Sequence, residues 1–554
     1  MTHIDAGRQS ATMGRLLLAR ADDDNIALLF EDRTWTWRQL VAEAARHSEY
    51  LERLRPSDEQ PWHIGVLMEN TPDYLFLVAG AMICGATIVG LNHSRRGRAI
   101  ASDIAATACS TVLVDKAMSA LLDDAGSNCS TVLFASVELV DRVTPQLKPD
   151  SDRPDARLLL LLTSGATGAP KAVNLSTGRW ARACLFNQIR IGPEDVAYNA
   201  MALFQGGALI SAWGPCIRSG AAFALRRQFS ATQFLADIQT FGATFFTYLG
   251  RSLSYILAQT ASAEEANNQL RFGFGTEASP RDRADFTRRY RAPLFDSFGS
   301  CEGTFYIART SDAPEDSLGR EQIGSRPEVV DPDGVTCPPA QFDTIGVLIN
   351  AQEAVGEIVA RGGAANFEGY YRNPAATAER IRAGDYWTGD LGYRDAQGNF
   401  YFAGRVGDWI RVDSEKFTAA PIERVMMRYE AVISVAVYGV PDTSSGEQVM
   451  AAVQLRDGFA FDPTDFADFL VSQPDLPPKW IPRYLRVCAR IPLTATMKVR
   501  KGPLKAEGWC CTEPVFERIG RASFYLQMSG RRAADLLAET KFNRFSPVKH
   551  RELI

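Results

Sequence analysis

Residues 158–171, LLLLLTSGATGAPK, predict both the fold class and the kind of site that this protein carries. Five consecutive leucines, Leu158 to Leu162, are typical of a buried strand. The loop after them is rich in small, hydroxyl-bearing and flexible residues, and it ends at Lys171. Such a loop can turn backbone N–H groups and hydroxyls toward a phosphate group. We therefore expect an anion-binding loop at the end of a buried strand.

This loop differs from two other glycine-containing loops that connect a strand to a helix. A Walker A loop has its Lys directly after the last Gly and a Ser or Thr after that Lys, whereas here Lys171 lies three residues beyond Gly168. A nucleophile elbow requires a Gly at the position of Leu162. A solvent-exposed turn is the alternative when the loop is considered alone.

The alternation of segments indicates the fold class. With 554 residues, the chain is too long for a single core. From Asp23 to about Gly404, apolar β-type runs alternate with helical segments, which predicts α/β layers with largely parallel sheets. We then expect a helix near 421–430, strands at 432–440 and 449–455, and a helix near 463–472. The predicted domains are a large multilayer α/β domain, residues 1–404, and a small α+β domain, residues 405–554.

Composition argues against several classes of function. The net charge is −5 and the basic residues are dispersed, so we expect no nucleic-acid partner. The ten cysteines form no C-x-x-C pair and are accompanied by five histidines, which argues against structural zinc and favours a reducing compartment. The N-terminus lacks the basic start and apolar run of a secretory signal, so a cytoplasmic location is expected.

An uncharged stretch at residues 74–91, YLFLVAGAMICGATIVGL, has about the length of a membrane span. Its Gly and Ala content and the β-branched residues after Gly85 favour a buried helix that runs into a buried strand. A true span is the alternative interpretation of this stretch. Peripheral association of the protein with a membrane is also left open.

Four further motifs follow the loop along the chain. They are FGSCE at 298–302, WTGD at 387–390, Gly404-Arg405, and Lys498 within TATMKV at 494–499. Together with TSGATGAPK at 163–171, they resemble the adenylate-forming superfamily of acyl-CoA synthetases, nonribosomal-peptide adenylation domains and luciferases, over about residues 30–505. Residues 244–250, 273–275 and 438–441 resemble the fatty-acid-transport-protein or very-long-chain type of acyl-CoA synthetase.

The resemblance implies an ATP-dependent acyl-CoA ligase for a lipophilic carboxylic acid, such as a long-chain fatty acid or a steroid side-chain acid. The acid would become an acyl adenylate and then a CoA thioester, with release of pyrophosphate and AMP. A carboxylate resists attack by a thiol because it is anionic and has no leaving group, so AMP must first be transferred to it. The implied cosubstrates are ATP and CoA, and the implied metal is Mg²⁺. Because the acid is ionised at neutral pH, no general base is required.

The resemblance also assigns roles to individual residues. Lys498 would neutralise charge on the phosphates, and Glu302 would hold Mg²⁺. Phe298 would stack on adenine, Asp296 would accept from its amino group, and Asp390 would accept from the ribose hydroxyls. The full set of implied ATP or AMP contacts is Thr163, Ser164, Gly165, Thr167, Gly168, Lys171, Gly275, Asp296, Phe298, Gly299, Cys301, Asp390 and Arg405. Cys301 stands where the family has Thr, a stronger donor, which predicts slower adenylation.

Other residues are assigned to the acid, the hinge and CoA. The acid pocket is expected at Phe204, Gln205, Gly206 and Tyr248, with ordinary core packing of these residues as the alternative. The hinge is expected at residues 405–408, including Gly407 and Asp408, and the small C-terminal domain would rotate about it after adenylation. Ser414 is expected beside the route of CoA.

Two other functions are compatible with the sequence. An acyl-AMP ligase would share the first step and would transfer the acyl group to a carrier protein. A membrane lipid-transport protein would have the same fold and a secondary ligase activity. CoA-dependent release of AMP separates the first alternative from an acyl-CoA ligase, and partition between membrane and soluble fractions separates the second.

Overall fold

The chain forms two compact units in its computed structural model. The first unit consists of Met1–Thr276, Arg283–Phe305 and Gly362–Tyr386, and the second of Glu277–Asp282, Tyr306–Arg361 and Trp387–Ile554. The division of the chain at residues 404 and 405 stays a prediction. The structure describes residues 11–57, 59–123, 130–134, 139–163, 171–186, 190–322, 324, 326–344, 346–413, 415–494, 498–519 and 524–540.

The leucine strand lies inside a six-stranded sheet of the first unit. It spans Arg157–Thr163 and pairs in parallel with Thr87–Gly90 on one side and antiparallel with Lys171–Ser176 on the other. Leu158 to Leu161 are at most 4% exposed, as expected for a strand with neighbours on both sides. The order of this sheet is Ser130–Leu133, Thr111–Val114, His63–Leu67, Thr87–Gly90, Arg157–Thr163, Lys171–Ser176.

A second sheet of the first unit carries the segment that leads to Cys301 and Glu302. Its strands are parallel to their neighbours except for Ile26–Phe30 with Arg33–Thr36. Parallel strands place their carboxyl ends at one edge, which is where ligands bind in open α/β sheets. The strand order within this unit is Leu294–Gly299, Phe272–Thr276, Phe245–Leu249, Val196–Asn199, Ala222–Leu225, Ile26–Phe30, Arg33–Thr36.

Helices connect and cover these strands, as parallel pairing requires. The α-helices are Met13–Leu18, Trp37–Arg53, Pro72–Cys84, Arg98–Ala106, Ala120–Asp123, Thr177–Phe186, Gly214–Ser219, Phe234–Thr240, Gly250–Leu257, Pro280–Tyr290 and Pro374–Glu379. A π-helix spans Gly207–Trp213, and 3₁₀-helices span Ala263–Ala266 and Gly363–Asn366. The short strand Ile381–Arg382 pairs with residues 385 and 386.

The uncharged stretch at 74–91 forms a buried helix followed by a buried strand, as the sequence predicts. The helix Pro72–Cys84 begins with Pro and ends at Gly85, whose φ of +91° suits a residue without a side chain. The strand Thr87–Gly90 follows and is buried along its length. Among the described residues, no helix is long and apolar enough to cross a membrane.

The second unit contains mainly antiparallel sheets. One has Pro327–Val330 beside Gly356–Ala360, then Asp385–Arg394 and Phe400–Arg405, and Tyr306–Ala308 pairs separately with Arg320–Glu321. The larger sheet has the order Glu415–Thr418, Trp409–Val412, Gly446–Leu455, Tyr484–Cys488, Val515–Arg518, Tyr525–Gln527, with Val432–Asp442 also paired to Gly446–Leu455. The helices are Ala351–Ala354, Ala419–Met426, Pro463–Ser472, Lys501–Glu507 and Gly530–Thr540.

The predicted elements after residue 404 are present with small shifts. The helix expected near 421–430 spans Ala419–Met426, and the helix at Pro463–Ser472 has the predicted bounds. The strands extend to Val432–Asp442 and Gly446–Leu455. The C-terminal helix Gly530–Thr540 buries Leu536 in the same apolar cluster as Tyr438 and Trp509, so this part of the tail belongs to the core of the second unit.

Candidate active site

The predicted phosphate loop begins and ends on two paired strands. Thr163 and Lys171 are directly opposite each other in the antiparallel pair, and the Thr163 hydroxyl donates to the Lys171 carbonyl at 3.2 Å. The intervening predicted contacts Ser164, Gly165, Thr167 and Gly168 lie outside the described residues, as does the predicted CoA residue Ser414. The structure thus defines where the loop leaves and rejoins the sheet.

Glu302 and Lys171 both contact one tyrosine side chain. The Tyr370 hydroxyl donates to Oε1 of Glu302 at 2.7 Å, and the Lys171 ammonium lies 5.2 Å from the centroid of the Tyr370 ring. Glu302 is 9% exposed and Tyr370 is 5% exposed, so this hydrogen bond is largely shielded from water. Tyr370 therefore joins the two predicted functional residues, although no sequence motif suggested it.

Two more side chains act on the Tyr370 hydroxyl. Burial and the adjacent Glu302 carboxylate raise the pKa of Tyr370 to about 12. The hydroxyl therefore stays protonated and acts as a hydrogen-bond donor. Burial and the same carboxylate also raise the pKa of Tyr386, whose hydroxyl hydrogen-bonds that of Tyr370. Burial opposes the charge on Arg380, but the neighbouring tyrosines and Glu302 raise its pKa, and Arg380 also hydrogen-bonds Tyr370.

A buried arginine holds the main chain on which Glu302 sits. Arg179, in the helix Thr177–Phe186, donates to the carbonyl of Glu302 at 3.0 Å and to that of Cys301 at 2.7 Å. Its Nε lies 4.0 Å from Oε2 of Glu368. Burial lowers the pKa of Arg179, and the neighbouring Glu368, Cys301 and Glu302 oppose that decrease. The guanidinium thus fixes the backbone while Tyr370 fixes the carboxylate.

The segment that carries Tyr370 is fastened to the strand that begins at Lys171. Glu368 accepts from the N–H of Ser176 at 2.7 Å and from its hydroxyl at 2.5 Å. The Asn174 amide donates to the carbonyls of Glu368 at 2.9 Å and Gly369 at 3.0 Å. Tyr370 is therefore held at a defined place relative to Lys171.

Asp296 and Tyr248, which the sequence assigns to adenine and to the acid, contact each other. The Tyr248 hydroxyl donates to Oδ1 of Asp296 at 2.8 Å, and Arg283 donates to Oδ2 at 2.9 Å. Both carboxylate oxygens of Asp296 therefore have partners within the protein. Gly275 lies against Tyr248 so closely that a Cβ there would be 2.3 Å from the Tyr248 carbonyl oxygen, and only glycine fits.

Cys301 and the predicted acid loop also meet. A Cβ on Gly206 would lie 3.3 Å from Sγ of Cys301 and 3.0 Å from Cδ1 of Leu161. Phe204 is buried, and its ring meets that of His93 edge-on at 5.2 Å. Gln205 is half-buried in the same loop.

Phe298 and Gly299 end the strand Leu294–Gly299. The half-buried Phe298 ring lies 5.7 Å from the ring of Phe305, and Gly299 is exposed. Phe298 thus keeps part of its ring surface accessible at the carboxyl edge of the sheet.

The second unit brings Lys498 together with three charged groups. Its ammonium pairs with Glu277 at 2.8 Å, and Glu277 raises the pKa of Lys498, which stays protonated. Arg405 and Asp390 also act on Lys498, and they pair with each other at 2.9 Å. The carboxylate of Asp390 is largely buried, whereas the side chain of Lys498 is half exposed. Glu277 was not indicated by the sequence.

The predicted hinge residues lie just beyond the strand Phe400–Arg405. Gly404 has a φ of +127°, which favours glycine, and no atom lies within 4 Å of a Cβ placed on Gly407. Asp408 accepts from Lys501 at 3.5 Å, while Lys501 also pairs with Glu423 at 2.9 Å. The assignment of this segment as a hinge stays a prediction.

The carboxylate of Glu302 is the kind of hard oxygen ligand that Mg²⁺ prefers. Among the described residues, no group of three His, Cys, Asp or Glu side chains could hold a metal. Mg²⁺ is commonly bound by one or two carboxylates together with substrate phosphates and water. Glu302, whose partner Tyr370 also contacts Lys171 at the end of the predicted phosphate loop, fits that pattern.

Comparison with known proteins identifies the class. The AMP-binding enzyme family matches residues 18–371, and the AMP-binding enzyme C-terminal domain matches residues 421–498. The chain belongs to this family of AMP-binding enzymes.

Several relatives are acyl-CoA ligases by name. Steroid-22-oyl-CoA synthetase of Rhodococcus jostii (strain RHA1) is 43% identical over 524 residues, which cover 93% of this chain and 94% of the relative. Medium/long-chain-fatty-acid–CoA ligase FadD17 of Mycobacterium marinum (strain ATCC BAA-535 / M) is 41% identical over 91% of this chain and 98% of its own. Long-chain fatty acid transport protein 1 of Bos taurus is 26% identical over 86% of this chain and 78% of its own.

Solved structures share the fold. The anthranilate CoA ligase AuaEII, in complex with anthranoyl-AMP, superimposes with a TM-score of 0.77 over 90% of this chain and 97% of its own, at 18% identity. The α/β fold and the family resemblance predicted from the sequence are confirmed. The enzyme class, an acyl-CoA ligase, is confirmed by the curated relatives.

Proposed function

We propose that this protein is an ATP-dependent acyl-CoA ligase that activates a lipophilic carboxylic acid, a long-chain fatty acid or a steroid side-chain acid. The observation that carries the proposal is the joint placement of Glu302 and Lys171 on Tyr370 beside the predicted phosphate loop. Reaction at a phosphate of a nucleoside triphosphate depends on neutralisation of phosphate charge. A carboxylate that binds the metal ion and an ammonium that binds the phosphates both serve this purpose. The cosubstrates are ATP and CoA.

In the first half-reaction the carboxylate of the acid attacks the α-phosphorus of ATP, and pyrophosphate leaves. In this proposal Lys171 would neutralise phosphate charge, and Glu302 would bind Mg²⁺. The ion, when bound, neutralises the charge that develops on the phosphate oxygens. The proposed nucleotide contacts also include Phe298 on the adenine and Asp390 on the ribose.

Lys498 is proposed to act only in this half-reaction. The ordinary pKa of Lys lies well above neutral pH and Glu277 raises that of Lys498 further, so the side chain carries a full positive charge. That charge is needed while pyrophosphate leaves and not when a thiol attacks the adenylate. In the second half-reaction the thiol of CoA loses its proton to solvent and its sulfur attacks the acyl carbonyl. The C–S bond of the thioester forms, the C–O bond to the phosphate breaks, and AMP leaves with the bonding electrons.

The acid is proposed to enter beside residues 204–206. This loop meets Cys301 at Gly206, so it adjoins the same segment as Glu302. The π-helix Gly207–Trp213 follows directly; its sequence, GALISAW, is largely apolar, and Ile210 is one of its half-buried residues. The names of the relatives favour an acid with a large apolar body, either a fatty acid or a steroid carrying a side-chain carboxylate.

A panel of acids tests the proposal. Pyrophosphate release is measured with ATP, Mg²⁺ and acetate, benzoate, fatty acids of increasing length, or steroid side-chain acids. We expect turnover with long-chain or steroid acids and little with acetate. Absence of pyrophosphate release with every lipophilic acid would contradict the proposed function. AMP release that depends on added CoA then separates a CoA ligase from an enzyme that loads a carrier protein.

A further inference from the structure

The side chain of Tyr370 has two different faces, and each contacts a different charged group. The hydroxyl donates to the Glu302 carboxylate at 2.7 Å, and the aromatic face lies 5.2 Å below the Lys171 ammonium. A hydrogen bond to a carboxylate is directional, whereas a cation above an aromatic ring is attracted by the quadrupole of the ring. One residue thus constrains an anion and a cation at once.

The geometry points to Tyr370 as a positioning residue for the nucleotide site, and we propose that it orients Glu302 for Mg²⁺ and Lys171 for the phosphates. This inference rests on the proposed function, because it takes Glu302 as the metal-binding carboxylate. Tyr370 itself is not proposed to contact the metal or the acid. It acts through the two residues that it holds.

Several contacts hold the side chain of Tyr370 in place besides its hydrogen bond to Glu302. Its hydroxyl hydrogen-bonds Tyr386 and Arg380, so loss of the Glu302 bond would disturb a connected group of side chains. Tyr386 is 2% exposed and packs its ring against Phe367 at 5.0 Å. The hydroxyl that donates to Glu302 is therefore held by other side chains as well, and it orients the carboxylate.

Among the described residues, the hydrogen bond of the Glu302 side chain uses one of its two oxygens. Tyr370 engages Oε1, and among the described residues no hydrogen bond to Oε2 is formed. A carboxylate that is bound through one oxygen has a fixed plane, which orients the other oxygen. Partners of metal ligands that act in this way typically change metal affinity or activity about 10- to 100-fold when they are removed.

Two substitutions separate the two faces of Tyr370. Tyr370→Phe removes the hydroxyl and keeps the ring beneath Lys171, whereas Tyr370→Leu removes both. Tyr371→Phe is the matched control, since it deletes a hydroxyl from the next residue, whose ring packs against His63 at 5.0 Å. Tyr386→Phe leaves the Tyr370 hydroxyl in place and removes one of its partners.

The readout is binding rather than turnover. Each full-length variant is titrated with α,β-methylene-ATP, which cannot be cleaved at the bond that adenylation breaks, at a series of Mg²⁺ concentrations in a calorimeter. For Tyr370→Phe we expect the Mg²⁺ concentration of half-maximal effect to rise at least about tenfold, with the affinity in the absence of Mg²⁺ nearly unchanged. For Tyr370→Leu we expect an additional loss of metal-free affinity of about two- to fivefold, because the cation–π contact is lost.

The controls decide between outcomes. Tyr371→Phe should behave as the wild type, and Tyr386→Phe should show a smaller shift in the same direction as Tyr370→Phe. Should Tyr370→Phe fail to fold, Tyr386→Phe decides the matter, and an unshifted Mg²⁺ dependence there would overturn the inference. An unshifted Mg²⁺ dependence in folded Tyr370→Phe would also overturn it. Failure of the wild type to bind the analogue, or to release pyrophosphate with any lipophilic acid, would instead count against the proposed function.

Discussion

Replacing Arg179 by Met tests whether the backbone of Cys301 and Glu302 is held from outside its own segment. The substitution keeps an unbranched apolar stem of similar length and removes the guanidinium. Two hydrogen bonds to carbonyl oxygens are lost, at 3.0 Å and 2.7 Å, and the neighbouring carboxylate of Glu368 loses its cation. Because Arg179 is 9% exposed, water cannot readily replace these contacts.

The magnitude follows from burial. A hydrogen bond to a charged group contributes about 1.5–3 kcal/mol, and removal of one partner of a buried ion pair costs about 3–5 kcal/mol. Burial lowers the pKa of Arg179, so part of its favourable interaction already offsets desolvation of the guanidinium. We therefore expect the lower end of this range, a loss of about 3 kcal/mol in the free energy of unfolding. Adenylation should slow by about tenfold to a hundredfold if Glu302 moves with its backbone.

Urea unfolding and single-turnover formation of acyl-AMP measure the two effects. The matched control is Arg182→Met, an arginine of the same helix for which the described residues provide no hydrogen bond. Arg182 lowers the pKa of Arg179 by like charge, so its loss should be neutral or slightly stabilising. A loss below about 1 kcal/mol for Arg179→Met, or equal effects of the two substitutions, would refute the reasoning.

Two other perturbations give direct tests. Lys498→Ala should abolish adenylate formation and spare thioester formation from a supplied acyl adenylate. Lys505→Ala, which removes a lysine that lies 4.0 Å from Glu447, is the control, and equal loss of both half-reactions in Lys498→Ala would contradict the role. Burial lowers the pKa of His63 to about 4, and its ring nitrogens contact the Thr107 carbonyl at 2.7 Å and the Arg157 guanidinium at 3.3 Å. Between pH 6.5 and about 4, His63 binds a proton in the unfolded chain but not in the folded chain. The contribution of neutral His63 to the free energy of unfolding is therefore fully present above pH 6.5. It is lost as the pH falls through this window, by about 1.4 kcal/mol per pH unit. His63→Gln should flatten this dependence in urea unfolding at pH 4 to 7, and an unchanged slope would show that His63 is not responsible.

The parts of the fold that could be predicted are those in which burial determines residue type directly. Leu158 to Leu162 are apolar because their strand has neighbours on both sides, so the run is visible without any knowledge of its partners. The stretch at 74–91 could be interpreted correctly because Gly85 interrupts it, and that glycine ends the helix with a positive φ.

The contacts around Glu302 could not be found in this way. Arg179 is 123 residues from Glu302 in the chain, and Tyr370 is 68 residues from it. A periodic pattern reports which face of an element is buried, but it does not report which distant element covers that face. One of two arginines in a helix and a Tyr beside a second Tyr are ordinary in sequence, and only the fold gives them a common target.

The two hydrogen bonds from Arg179 also explain why residue 301 can be Cys, where the family pattern has Thr. Arg179 binds the carbonyls of Cys301 and Glu302, and a carbonyl is present whatever side chain the residue carries. A change from Thr to Cys therefore keeps both carbonyl acceptors and alters the side chain near Gly206. Because Sγ of Cys301 lies 3.3 Å from the place where a Cβ of Gly206 would stand, that change falls on the side of the predicted acid loop. A thiol is a weaker donor and a more apolar neighbour than a hydroxyl, which suits a wall against a lipophilic acid.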